Sequence, residues 1–141
     1  MAVRDLEEII MRVPKRNPRQ EYRLKQREQI EASPFMGKKF PELKNLKVTL
    51  EYYEATGTTK NGELKCKLNV EHARSKLWFA CPGVECLGGD FDLSEALATA
   101  VVERRKVVTG ELRCQGTRNR GDRGRVACQT LLRYKLNMSY D

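Results

Sequence analysis

The chain has one histidine, one tryptophan and no apolar run approaching the ~20 residues needed to span a bilayer. Each shortage excludes something. His72, at the end of a predicted strand, reads as a surface residue and is the only imidazole available as a general base. No serine or cysteine lies in a nucleophile motif, and no glycine-rich loop between strand and helix matches a phosphate cradle. The expectation is therefore a protein that is not an enzyme. The opening residues, MAVRDLEEIIMRV, carry acids where a secretory signal carries bases, so neither a signal nor a membrane partner is expected. That places the chain in the reducing cytoplasm, where disulfides are rare. The cysteine count of five is odd, which argues against a closed disulfide framework.

Basic charge is abundant. The 27 basic and 19 acidic residues give a formal net charge of +8, unevenly spread. From Arg12 to Arg27 the net is +6, from Arg104 to Arg125 it is again +6, and from Val48 to Glu103 it is −4. Basic blocks of this kind attract phosphate-rich partners by counterion release, or serve simply as solvated surface.

Residues 1–42 read as a basic, helical N-terminal arm. Leu6, Ile9, Ile10 and Val13 fall on one helical stripe, ended by Pro14 and Pro18. Arg19 to Ala32 has good helix formers and few apolar residues, so it reads as a charged, exposed helix or a partly disordered stretch. Residues 43–141 read as a β-rich domain. Val48, Leu50 and Tyr52 alternate with polar residues, as do Leu64, Cys66, Leu68 and Val70, and Asn61-Gly62 ends the turn between them. A third strand is expected at Lys76 to Cys81, and two more at Val107 to Cys114 and Val126 to Met138. Between them, Asp92 and Glu95 form the pattern of a capping box before a helix with the stripe Leu93, Ala96, Leu97, Ala100 and Val101. The fold class is α+β, a mainly antiparallel sheet with one helix.

Cys81 and Cys86 bracket a Pro-Gly turn, and Cys114 and Cys128 sit at the base of a predicted hairpin. Tetrahedral Zn²⁺ takes four soft donors, commonly as two pairs, each held by a tight turn or hairpin. Four of the five cysteines lie at loop edges beside glycines, unlike apolar-acting core thiols. Over residues 76–138 this layout resembles the zinc-ribbon group of folds, with the second knuckle stretched to thirteen intervening residues. The resemblance implies one structural zinc held by Cys81, Cys86, Cys114 and Cys128. Four thiolates also suit iron or an iron–sulfur cluster. Cys66 alternates with Leu64 and Leu68 and is read as a core thiol.

A zinc-stabilised module contacting RNA or DNA, or a ribonucleoprotein, follows from the charge. The candidate phosphate contacts are Arg118, Arg120, Arg123 and Arg125 on the glycine-rich hairpin, and Arg16, Arg19 and Arg23 on the arm. Tyr22, among Arg19, Arg23, Lys25 and Arg27, has the chemistry to stack on a base or to pack. The alternative is an assembly module whose N-terminal helix docks on a protein partner. A thiol redox sensor is a third reading.

Overall fold

The period-two segments become long antiparallel strands. The structure, a computed structural model, describes residues 18–83, 86–119 and 124–141. Helix α1 (Pro18–Ala32) and the single turn α2 (Met36–Lys39) lead into β1 (Leu43–Tyr53) and β2 (Lys60–Leu68). Then come β3 (Trp78–Ala80), β4 (Asp90–Asp92), α3 (Ser94–Val102), β5 (Val107–Arg113), β6 (Thr117–Asn119), β7 (Arg125–Ala127) and β8 (Leu131–Tyr140). Four strands form one antiparallel sheet in the order β2-β1-β8-β5, while β3–β4 and β6–β7 are separate two-stranded ribbons. The fold is thus α+β and mainly antiparallel. Among the described residues no helix is long and apolar enough to cross a membrane.

Alternation gives the sheet two unlike faces. On one, Leu46, Val48, Leu50 and Tyr52 of β1 and Leu132, Leu136 and Met138 of β8 are buried with Leu97, Ala100 and Val101 of α3. The opposite face carries Lys47, Lys65, Lys67, Arg133 and Lys135, all exposed. β2 is an edge strand, so its apolar set is only partly covered. Cys66 is half-buried against the core, and Leu64 is 41% exposed although its alternation predicts burial.

Several local expectations change. The first hairpin turns at residues 55–59, where Gly57 takes φ 77°, and Asn61-Gly62 lies inside β2. Only Trp78–Ala80 of the predicted third strand pairs, with Asp90–Asp92, a segment read as loop and cap. No capping box forms: α3 begins at Ser94, and Leu93 at its N-cap makes no side-chain bond. Asp92 accepts the Ser94 N–H and pairs with Lys76 at 2.8 Å, while Ser94 Oγ accepts the Leu77 N–H. These bonds tie the start of α3 to the entry of β3.

Residues just before Leu43 pack against the sheet domain. Met36 and Phe40 are buried in the core, and Met36 and Gly37 donate their N–H groups to Ala73 O and Val70 O. Helix α1 is well formed, with Pro18 in its first turn, where no N–H partner is needed. Leu6, Ile9, Ile10, Val13 and Arg16 lie outside the described residues.

Candidate metal centre

Two strand breaks bring the cysteines together. The long hairpin of β5 and β8 does not run straight into β6 and β7. It kinks on both strands, at Cys114–Gly116 and at Cys128–Thr130, where Gln129 takes φ 51°. Backbone bonds carry the pairing across the kink, from Cys114 N to Thr130 O at 2.9 Å and from Cys128 N to Gly116 O at 2.9 Å. The kink turns both cysteines inward. The other pair flanks the loop between β3 and β4, with Cys81 N bonded to Gly89 O at 3.3 Å and Cys86 N to Gly83 O at 3.2 Å. An isolated bridge between Leu87 and Thr117 fastens the loop to the kinked hairpin.

All four cysteines are buried, and their Sγ atoms lie within 4.8 Å of one another. The sulphurs of Cys81 and Cys128 are 3.8 Å apart, and those of Cys86 and Cys114 3.5 Å. A disulfide would need ~2.05 Å. A tetrahedron of Zn–S bonds near 2.3 Å has edges of about 3.8 Å, so this spacing fits one tetrahedral ion. Four buried sulphurs this close together could bind a metal.

The surroundings favour electron-rich sulphur. Gly83 N donates to Cys81 Sγ at 3.4 Å, and Gly116 N donates to Cys114 Sγ at 3.3 Å. The two halves of the site thus repeat one device: Cys-x-Gly, whose glycine N–H reaches back to the sulphur and whose carbonyl receives the next cysteine's N–H. Arg118 Nε donates to Cys128 Sγ at 3.1 Å, and its other arm donates to Thr130 Oγ1 at 2.9 Å. At Cys128, burial raises the thiol pKa, but the Thr130 and Arg118 donors outweigh it and hold the group below its ordinary value. Cys81 is lowered to about 5, through the adjacent Cys114 thiol and, against burial, the Gly83 N–H. Cys114 is correspondingly raised by Cys81 and by burial. Burial lifts Cys86 to about 11. The four thiols share one pocket and titrate as a coupled set.

Glycine is required at the buried positions 89 and 116. A Cβ on Gly89 would overlap the sulphurs of Cys86 and Cys114, and one on Gly116 would lie 2.6 Å from Gly89 N. A Cβ on Gly83 would meet the Arg118 guanidinium at 2.6 Å. The repeated Cys-x-Gly, at Cys81-Pro82-Gly83 and Cys114-Gln115-Gly116, is the sequence signal for this arrangement, although the cysteine spacing alone suggests only the ligand set.

Of the seven arginines singled out for phosphate, Arg118, Arg125 and Arg23 make contacts within the chain. Arg118 is turned onto the Cys128 sulphur. Arg125 folds back on Thr117, donating to its Oγ1 and carbonyl O. Arg23 donates to Gly89 O at 3.1 Å and to Gln26 Oε1, so it docks α1 on the cysteine loop. Tyr22 donates to Asp90 in the same contact, and burial followed by that bond raises its pKa. The Arg23 guanidinium lies 5.5 Å from the centre of the Tyr22 ring. Arg19 lies in α1, while Arg120 and Arg123 lie outside the described residues. His72 is exposed in a turn. Comparisons of the chain with protein-family models, with curated proteins and with solved structures found no match.

Proposed function

We propose that the chain is a zinc-stabilised, non-catalytic binding module that contacts nucleic acid or a ribonucleoprotein. The observation that carries the first half is the convergence of four buried sulphurs at tetrahedral spacing, with N–H and guanidinium donors around them. Cys81, Cys86, Cys114 and Cys128 would hold the ion, and their enclosure is the size of one ion rather than a multi-iron cluster. Bound there, zinc supplies folding free energy. Four protein donors complete a tetrahedral shell and leave no position for water or substrate, which supports a structural role.

Net charge of +8 supports the second half. Arg118, Arg23 and Arg125 make internal contacts, so the free basic surface must be sought elsewhere. The experiment is titration of the zinc-loaded chain with labelled RNA and DNA oligonucleotides at two salt concentrations. Binding that weakens steeply with salt is expected, and no binding even at low salt refutes the reading. In that event the assembly reading gains ground. It draws on a groove of about 400 Å³ between α3 and β5, lined by Leu93, Val108 and Leu112. The groove runs beside β5, the last strand of the sheet among the described residues.

A further inference from the structure

Register arranges the polar face of the sheet into rows across β2, β1, β8 and β5. One row reads Lys67, Lys47, Asn137, Val107, and the next Lys65, Thr49, Lys135, Thr109. A third reads Glu63, Glu51, Arg133, Glu111. Charge on this face is therefore segregated: the first two rows hold four lysines and no carboxylate, and the third holds three carboxylates and one arginine. Lys44, exposed at the irregularity near the start of β1, extends the lysine end. With Lys67, Asn45 and Asn69 it lines a polar depression of about 450 Å³, in which Glu71 is the one carboxylate.

These five lysines are exposed, and of the five only Lys65 has an ion-pair partner among the described residues, Glu63 at 3.1 Å. Lys47 stands directly opposite Lys67, an arrangement that disfavours the sheet. Lysines on β2 could be explained as guards of an edge strand. That account does not reach Lys47 and Lys135, which lie on the two central strands. An anion laid across the face would relieve the repulsion.

The rows also indicate which anion. Neighbouring strands are ~4.8 Å apart and alternate residues of a strand ~6.7 Å, so the ammonium groups form a closely spaced array. Protein partners usually anchor on buried aromatic or arginine side chains, and the two lysine rows contain neither. Nucleic-acid interfaces are polar, wet and strongly positive. We propose that Lys44, Lys47, Lys65, Lys67 and Lys135 form the surface on which the chain holds the sugar–phosphate backbone of a nucleic-acid strand. This rests on the nucleic-acid reading above and gives it a location. Lysine acts as a point charge and reads no base edge here, so binding should be insensitive to sequence.

The test is the triple variant Lys47→Gln, Lys67→Gln, Lys135→Gln in the full zinc-loaded chain, against wild type. The probes are single-stranded RNA and single-stranded DNA of mixed sequence, with polyglutamate as an acidic polypeptide. Each lost phosphate contact removes ~0.7 from the slope of log affinity against log salt, so the triple variant should lose about 2 and bind roughly a hundredfold more weakly at 0.1 M salt. Its melting temperature should hold or rise, because a like-charge pair is gone. The matching Lys→Arg triple should bind like wild type. Oligonucleotide binding unchanged in the Gln triple would overturn the location and leave the nucleic-acid reading standing. Wild type that binds polyglutamate more tightly than either oligonucleotide would overturn the proposal in favour of an acidic protein partner. No wild-type binding to any probe would remove both.

Discussion

β1 and β8 run for 11 and 10 residues, whereas β3, β4, β6 and β7 have three residues each. The long strands carry a conventional apolar face, with Leu46, Val48, Leu50, Leu132 and Leu136 fully or almost fully buried under α3. The short ones meet at the cysteines. An isolated pair of three-residue strands is not stable in water. Phe91, packed on Tyr52 with ring centroids 5.9 Å apart, anchors the β3–β4 ribbon to the sheet. Among the described residues the β6–β7 ribbon makes no such ring contact, and the Leu87–Thr117 bridge beside the sulphurs links it to the loop. One molecule thus uses two kinds of core, apolar side chains at the sheet and sulphur with glycine at the ribbon end.

That contrast can be broken from either side. The largest effect is expected from Cys81→Ser or Cys114→Ser. Either should abolish stoichiometric zinc, and the free energy removed should approach the ~10–16 kcal/mol apparent binding energy of small structural zinc sites. Amide exchange should then accelerate first in residues 81–90 and 114–130, with the β1–β8 pairing protected longer. Next in size, Leu136→Ala should cost about 2–5 kcal/mol by thermal or denaturant melting, because a fully buried side chain is truncated. Zinc content should stay at one per chain, which separates the two cores.

Arg118→Gln is a finer probe. It removes a charged donor from Cys128 and should weaken zinc affinity by roughly 10–100-fold in a chelator competition. The circular dichroism spectrum at saturating zinc should not change. Smallest is Cys66→Ser, a hydroxyl in a half-buried position on β2. It should lower stability by about 1 kcal/mol and leave zinc binding untouched.

Much of the sheet was legible from period-two alternation, because burial on one face imposes it. Val48, Leu50, Tyr52, Leu132, Leu136 and Met138 all lie where that pattern predicts. Leu64 does not, because alternation says which face a residue takes and not whether an edge strand is covered. The four sulphurs were legible from spacing, but their neighbours were not. Arg118 reads as a loop arginine until the kink at Cys114 and Cys128 turns it inward. The lysine rows were hidden for a related reason. Lys47, Lys65, Lys67 and Lys135 come from three strands, two of them in a stretch whose net charge is negative, and only register assembles them. Helix α1 looked detached because its few docking groups, Tyr22, Arg23 and Gln26, are polar and escape a search for apolar stripes.

The most direct measurement is metal analysis of the purified chain beside Cys81→Ser, with melting followed before and after a strong chelator. One equivalent of zinc in the wild type, none in the variant, and a large fall in melting temperature on chelation are the predicted results. A wild-type chain that carries no metal and melts at the same temperature with chelator, with added zinc and with Cys81→Ser would contradict the account.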